Sequence, residues 1–267
     1  MDFSKIDRLK AKLDQHRPLS KEITKNLHEN LVVEWTYNSN AIEGNTLTLQ
    51  ETKIVLEGIT VGGKTLREHF EATNHKEAIF FIEELVQKNE LLNEKDIKSI
   101  HALILKNIDK EDAGKYRDIN VLISGAEHRP PQAIEVASKI QEFIHWYIEK
   151  HNSLHPIELA SKIQEFIHWY IEKHNSLHPI ELAARVHIDF VKIHPFADGN
   201  GRTSRLLMNL ELIKHGYPPV IIKVADRLEY YKALDVAHTT KNYKPFMELT
   251  IKLVQESFEN YFFVLGV

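Results

Sequence analysis

Apolar residues recur at three-to-four spacing along nearly the whole chain, and this period commits the sequence to helices. Ile97, Ile100, Leu103 and Ile104 form one such stripe, Leu182, Val186, Phe190 and Ile193 another, and Leu206, Leu207, Leu210 and Ile213 a third. Helix starts are written beside them. Ser20 stands where a helix opens, and Thr48 with Glu51 and Thr65 with Glu68 have the spacing of capping boxes. Ile79, Ile82, Leu85 and Val86 continue the helix after Thr65. One stretch breaks the period. Between Arg117 and Pro131, "INVLISGAEHRPP" carries a β-branched run, a glycine turn and a Pro-Pro stop, which reads as a small β-hairpin or flap. The expected fold is all-α with that single hairpin. A helical N-terminal region, residues 1–60, precedes a core of residues 61–267.

A second feature bears on topology. The segment SKIQEFIHWYIEKHNSLHPIELA occupies 138–160 and again 161–183, identical at every position. Diverged repeat architectures drift and number at least three units, so this is a tandem duplication of one helix and turn. One copy suffices for an antiparallel helix pair that returns the chain to the flap. A second copy can form a further helix over about 156–174, roughly 28 Å long, leaving the following segment at the wrong end. Either one copy loops out, or the C-terminal half crosses into a second molecule as a domain-swapped homo-oligomer. The latter is the expectation. The duplication also inflates the histidine count: His145, His151 and His155 recur as His168, His174 and His178. The Asn-Ser break and the helix start at Pro156 keep His151 and His155 off one face, so a structural zinc site is not expected.

Between the last two stripes lies "IHPFADGNGRTSR", Ile193 to Arg205. Free N–H groups and the positive dipole end at a helix start bind anions. Gly199 and Gly201 let backbone approach a ligand closely. Arg202 and Arg205, three apart, present two guanidinium forks to phosphate oxygens. Asp198 is a hard oxygen ligand of the kind Mg²⁺ uses singly beside substrate phosphates. His194 can accept a proton near neutral pH. Together these describe phosphoryl or nucleotidyl transfer, or nucleotide binding alone. The chain of 267 residues has net charge −4, which gives no electrostatic reason for nucleic acid. It has no cysteine, and no apolar run reaches membrane-spanning length, so a cytoplasmic protein without membrane contact is expected.

"HPFADGNGRTSR" resembles, at every defining position, the signature His-x-Phe-x-Asp/Glu-Gly-Asn-Gly-Arg-x-x-Arg of the Fic family. "GKYRDINVLISGAEHRPP" is similar to that family's flap, and "RLEYYKALDVAH" and "KPF" to the helices that follow. "SNAIEGN", Ser39 to Asn45, resembles its inhibitory motif Ser/Thr-x-x-x-Glu-Gly/Asn, placed here before the core. The resemblance covers residues from about 30 to 260, apart from one copy of the duplication. It implies transfer of AMP from ATP to a Ser, Thr or Tyr hydroxyl of a protein target, including the chain itself, with release of pyrophosphate. It implies His194 as base, Asp198 as the Mg²⁺ ligand, and Gly199, Asn200, Gly201, Arg202 and Arg205 around the phosphates, with Phe196 anchoring the loop. Val121, Leu122, Ile123 and Ser124 of the flap and the pair Tyr230–Tyr231 fall on the nucleotide side. The regulatory pair is Ser39 and Glu43, four apart on one helix face, with Glu43 reaching Arg205 and blocking the γ-phosphate. One position departs: His238 stands where the family has an asparagine near the nucleotide. The same resemblance leaves room for a hydrolase that removes AMP through Glu43, for a non-catalytic nucleotide sensor, and for another transferred group.

Overall fold

The structure, a computed structural model, describes residues 1–154 and 177–267, with backbone alone for 152–154. Among the described residues it is built of helices, without strands. The helices are α1 (Ser4–Asp14), α2 (Lys21–Ile42), α3 (Leu49–Leu56), α4 (Leu66–Lys88), α5 (Glu94–Ile104), α6 (Val136–Leu154), α7 (Pro179–Ile193), α8 (Asn200–Lys214), α9 (Arg227–Thr240) and α10 (Lys244–Leu265).

Local chemistry sets the boundaries. Ser20 accepts from the Ile23 N–H, and Thr48 and Thr65 each close a reciprocal box with the glutamate three residues on. Asn93 does the same with Asp96 at the start of α5. His178 caps α7, whose first residue is Pro179, the position where a missing N–H costs nothing. Gly216, at φ 76°, ends α8.

α7 and α8 lie at the centre and carry apolar residues on more than one face, as a fully buried helix must. Leu182, Val186, Phe190 and Ile193 of α7 join Leu206, Leu207 and Leu210 of α8 in one cluster. Trp35 of α2, Ile79 and Ile82 of α4, Ile97 and Ile100 of α5, and Ile140, Phe143 and Tyr147 of α6 complete it. The opposite faces, Ile180, Ala184 and Ile188 of α7 with Met208 and Leu212 of α8, pack on Ile6, Leu13, Ile42, Phe246, Leu249 and Phe258. Residues from both sides of position 60 share both clusters.

α6 packs directly on α7 within one chain. Ser138–Leu154 come from the first copy of the duplicated segment and His178–Ala183 from the second. Together they contain each position of the repeat once. The helix expected over about 156–174 lies outside the described residues, as do His155, His168 and His174.

The flap is not a hairpin. Residues 118–132 form an irregular excursion with no strand pairing. Its apolar residues find little to pack against: Ile119 is 63% and Leu122 81% exposed, and Val121 and Ile123 are only partly buried. A two-stranded ribbon without such packing has marginal stability, and Pro130 and Pro131 supply no N–H for a ladder. The segment is held instead by its ends and at Glu127 and His128, whose N–H groups donate to Asp235. Buried Arg117 donates to the carbonyls of Ile119, Pro131 and His194 at 2.9, 2.6 and 2.8 Å. No helix among the described residues is long and apolar enough to cross a membrane.

Candidate active site

The site forms where α7 stops and α8 begins. His194 ends α7 in the left-handed conformation, φ 50°. Two residues later Phe196 is fully buried, its ring stacked on His101 at 3.6 Å between centroids. Burying a phenylalanine contributes about 1.5–3 kcal/mol, which pins the loop to α5. His101 continues the clamp. Its Nδ1 accepts from the Gly114 N–H at 3.0 Å, so Nε2 carries the proton and donates to the Asp198 carbonyl at 2.9 Å. Burial holds His101 at about 4, neutral as this arrangement requires.

Asn200, expected at the phosphates, is turned inward. Its amide accepts from the Phe196 N–H at 3.0 Å and donates to the Phe196 carbonyl at 2.9 Å. The side chain shapes the loop, and only the backbone of Gly199 to Gly201 borders the open side. Gly199, at φ 77°, stands at the N-cap position of α8 with no side chain to occupy the helix end. At Gly201 a Cβ would strike the Glu43 carboxylate and the Arg205 guanidinium, so glycine is what admits them over the first turn.

The charged groups pair across this end of α8. Arg205 is buried. Its Nε donates to Ser39 Oγ at 3.0 Å, and Nη2 donates to the Ser39 carbonyl and to Glu43 Oε1, both at 2.8 Å. Burial, the largest influence, would lower the Arg205 pKa, but Glu43 and Tyr230 together outweigh it and the guanidinium is held above its ordinary value. The expected Ser39–Glu43–Arg205 constellation is therefore present. Arg202 is also buried, with Nη1 3.5 Å from Glu71 and Nη2 3.3 Å from Asp198. Its Nε is buried without a partner among the described residues. Such an atom calls for an acceptor, and a phosphate oxygen would serve.

Asp198 accepts from the Gly199 N–H and from Arg202 through Oδ1, and from Arg67 through Oδ2 at 2.7 Å. Partial burial would raise its pKa; Arg202, the Gly199 N–H and Arg67 hold it below the usual carboxylate value instead. A half-exposed, ionised carboxylate beside a helix start fits Mg²⁺, which takes one or two carboxylates and draws its remaining ligands from phosphates and water. Asp198 is the residue that would hold it.

The imidazole of His194 is neutral. Burial, aided by Arg117 and His128 nearby, lowers its pKa to about 4, against the opposing pull of the Val191 backbone and Glu43. It can accept a proton throughout the neutral range.

Other expected residues are placed differently. Tyr230 is buried and its hydroxyl sits 3.4 Å from Arg205 Nη1 and 3.1 Å from His187 Nε2, so it supports Arg205 from within the core. Tyr231, partly exposed, donates to the Ile42 carbonyl at 3.4 Å. His238 is buried and bonds the Ile188 carbonyl at 3.0 Å, which makes it a core residue of α9 and α7. Of the flap, Val121 and Ile123 are partly buried, while Leu122 and Ser124 face outward. His145 is exposed, His151 makes tilted ring contacts with Tyr147 and His215, and His178 pairs with Asp7. Sequence reasoning missed Arg117, Arg67, Glu71 and Asn45. Arg67 and Glu71 lie outside the motifs, on a helix whose local pattern says nothing of a site; Asn45 and Arg117 lie within the inhibitory and flap segments, which assign them no contact.

Comparison with known proteins agrees with the geometry. The profile of the Fic/DOC family matches residues 91–212. "Protein adenylyltransferase Fic" of Nematostella vectensis is 34% identical over 228 residues, covering 84% of this chain and 47% of that protein. The Drosophila grimshawi protein of the same name is 38% identical, covering 84% and 42%. The chain thus spans less than half the length of these relatives. Among solved structures, a Fic domain containing signaling protein from Bacteroides thetaiotaomicron superposes with a TM-score of 0.82 at 28% identity, covering 98% of this chain and 97% of the other. A variant of Fic-1 from C. elegans gives 0.78 at 30% identity, covering 97% and 70%. With the loop, the paired arginines and the reaching glutamate assembled on this shared scaffold, the chain belongs to the Fic/DOC family.

Proposed function

We propose that the chain is a protein adenylyltransferase that moves AMP from ATP to a hydroxyl of a protein, held in check by Glu43. One observation carries this reading: the Glu43 carboxylate occupies the guanidinium of Arg205 at 2.8 Å, over the glycine-lined start of α8. An anion from the chain itself stands where an anion site is built. The names of the relatives supply the class of reaction.

In the reaction, neutral His194 takes the proton of the target hydroxyl as its oxygen attacks the α-phosphorus of ATP. The bond from that phosphorus to the bridging oxygen breaks, and pyrophosphate leaves. Charge concentrates on phosphate oxygens, so fixed donors supply most of the stabilisation. Arg202, the backbone of Gly199–Gly201 and, once Glu43 turns away, Arg205 provide them. Mg²⁺ on Asp198 would neutralise charge between the phosphates. His101 and Asn200 keep the loop in shape.

The test is incorporation of label from ATP labelled at the α-phosphate into protein. A charge-assisted hydrogen bond is worth about 1.5–3 kcal/mol, so Glu43→Gly should raise incorporation roughly ten-fold or more. His194→Ala in the same background should lower it by about 10²–10⁴. Incorporation no faster in Glu43→Gly than in the parent chain overturns inhibition. Loss of AMP removal from a modified protein in that variant would instead establish the hydrolase.

A further inference from the structure

Beside Glu71, which lies 3.5 Å from Arg202, two charged side chains of opposite sign reach the start of α8 from the N-terminal part of the chain. Glu43, from the end of α2, lies on Arg205. Arg67, in the first turn of α4, lies on Asp198. The second contact belongs to none of the family motifs. Arg67 Nη2 donates to Asp198 Oδ2 at 2.7 Å while its Nε donates to Glu71 Oε1 at 3.0 Å. Glu71 is held in turn by the Asn45 amide at 2.9 Å, two residues beyond Glu43. Arg67 is thus aimed from behind. Both Asp198 oxygens are engaged, Oδ1 by Gly199 and Arg202 and Oδ2 by Arg67.

The oxygen that Arg67 occupies is the one free of intraloop bonds, hence the one a cation would use. We infer that Arg67 sets the metal requirement of this site: its guanidinium stands in for the divalent ion on Asp198 and must be displaced before Mg²⁺ binds with nucleotide. The inference rests on the adenylyltransferase reading. In that light the two contacts are complementary. Glu43 imitates the phosphate on Arg205, and Arg67 imitates the metal on Asp198. The contact is also one that can open. The Arg67 side chain is 57% exposed and that of Asp198 50%. Released from Asp198, Arg67 keeps Glu71 as its partner, so displacement strands no buried charge.

The experiment measures binding, not turnover. Mn²⁺ replaces Mg²⁺ and is titrated by electron paramagnetic resonance against the protein saturated with the α,β-methylene analogue of ATP, which cannot transfer AMP. Affinity for the analogue without metal is measured by calorimetry. Both are done with Glu43 present and in Glu43→Gly. An exposed pair of this kind competes weakly, so Arg67→Met should tighten Mn²⁺ about five-fold and leave metal-free analogue affinity within about two-fold. Arg67→Lys, which keeps the cation, should stay near the parent chain. Analogue binding intact with Mn²⁺ affinity unchanged or weakened in Arg67→Met overturns the role of Arg67 alone. Weakened metal-free binding with unchanged Mn²⁺ would make Arg67 a phosphate ligand and also overturns it. No analogue binding by any of the chains, with or without Mn²⁺, overturns the nucleotide reading and this inference with it.

Discussion

Arg205 shows how a single side chain serves folding and chemistry together. It is buried, and a buried guanidinium needs each of its donors answered. Tyr230 answers from α9, and its hydroxyl also lies within hydrogen-bond distance of His187, which Ser204 contacts at 3.2 Å. Tyr230→Phe removes the shared oxygen and leaves donor and acceptor facing an apolar ring. It should cost about 1–2 kcal/mol in a urea melt and, in the Glu43→Gly background, weaken nucleotide binding because Arg205 loses its fixed aim. Unchanged melts and unchanged binding would make the hydroxyl idle. At this scale legibility was uneven. His194, Asp198, Arg202 and Arg205 could be read because their spacing makes chemical sense along the chain, and Ser39 and Glu43 only through the resemblance of their segment to the family's inhibitory motif. Asn200 could not: a signature places a residue in a loop without saying which way its amide turns. Tyr230 and His238 depend on which face of α9 is buried, and Arg67 meets Asp198 only through tertiary structure.

Helices were the most legible elements, since caps and stripes are local. The capping boxes at Thr48 and Thr65 and the stripes of α5 and α7 stand where the sequence puts them. α7 also carries a second stripe, Ile180, Ala184 and Ile188, which a single-face reading overlooks in a central helix. The flap was misread for the opposite reason. Alternation of apolar residues signals a strand only where a partner strand and a covering surface exist, and here Val121 and Ile123 find only partial cover. The duplicated segment gives the element-scale prediction. Ser138–Leu154 and His178–Ala183 together use every repeat position once, so a chain lacking 161–183 keeps an identical residue for each of them and loses only the second leucine, Leu177, from the described packing. The deletion leaves His155 alone between Leu154 and Pro156, so the last residues of α6 must open to form the turn; a connection cut from roughly two dozen residues to the few so released removes about 2 kcal/mol of closure entropy. The shortened chain should fold, melt several degrees higher and transfer AMP as the parent does. A shortened chain that fails to fold would show that the second copy carries structure of its own.

For the molecule as a whole, acid is the vulnerable direction. His75, His187, His194 and His238 are held below their ordinary pKa by burial, the last two at about 4. Below about pH 6.5 the unfolded chain takes up protons at these positions and the folded chain does not. Each group therefore removes up to ~1.4 kcal/mol per pH unit as the pH falls toward the folded value. Glu211, pushed up by burial to about 7, and His28, raised by Glu83, pull the other way over part of the same range. The histidines outnumber them. Unfolding free energy from urea melts should fall by several kcal/mol between pH 7 and pH 5; a flat profile would mean that these histidines are protonated in the fold. The same burial bears on how the site can be released. Among the described residues Ser39 and Glu43 supply three of the four hydrogen bonds to the Arg205 side chain, and Trp35 and Ile42 of the same helix lie in the two large apolar clusters. α2 cannot leave without taking the fold with it. What can move is the Glu43 side chain, one third exposed, turning about its own torsions. Rotamer changes of that kind take picoseconds to nanoseconds, whereas hinge motions of whole elements take microseconds to milliseconds. The clock of this switch is that of a single carboxylate letting go of its partner, not that of a helix leaving the fold.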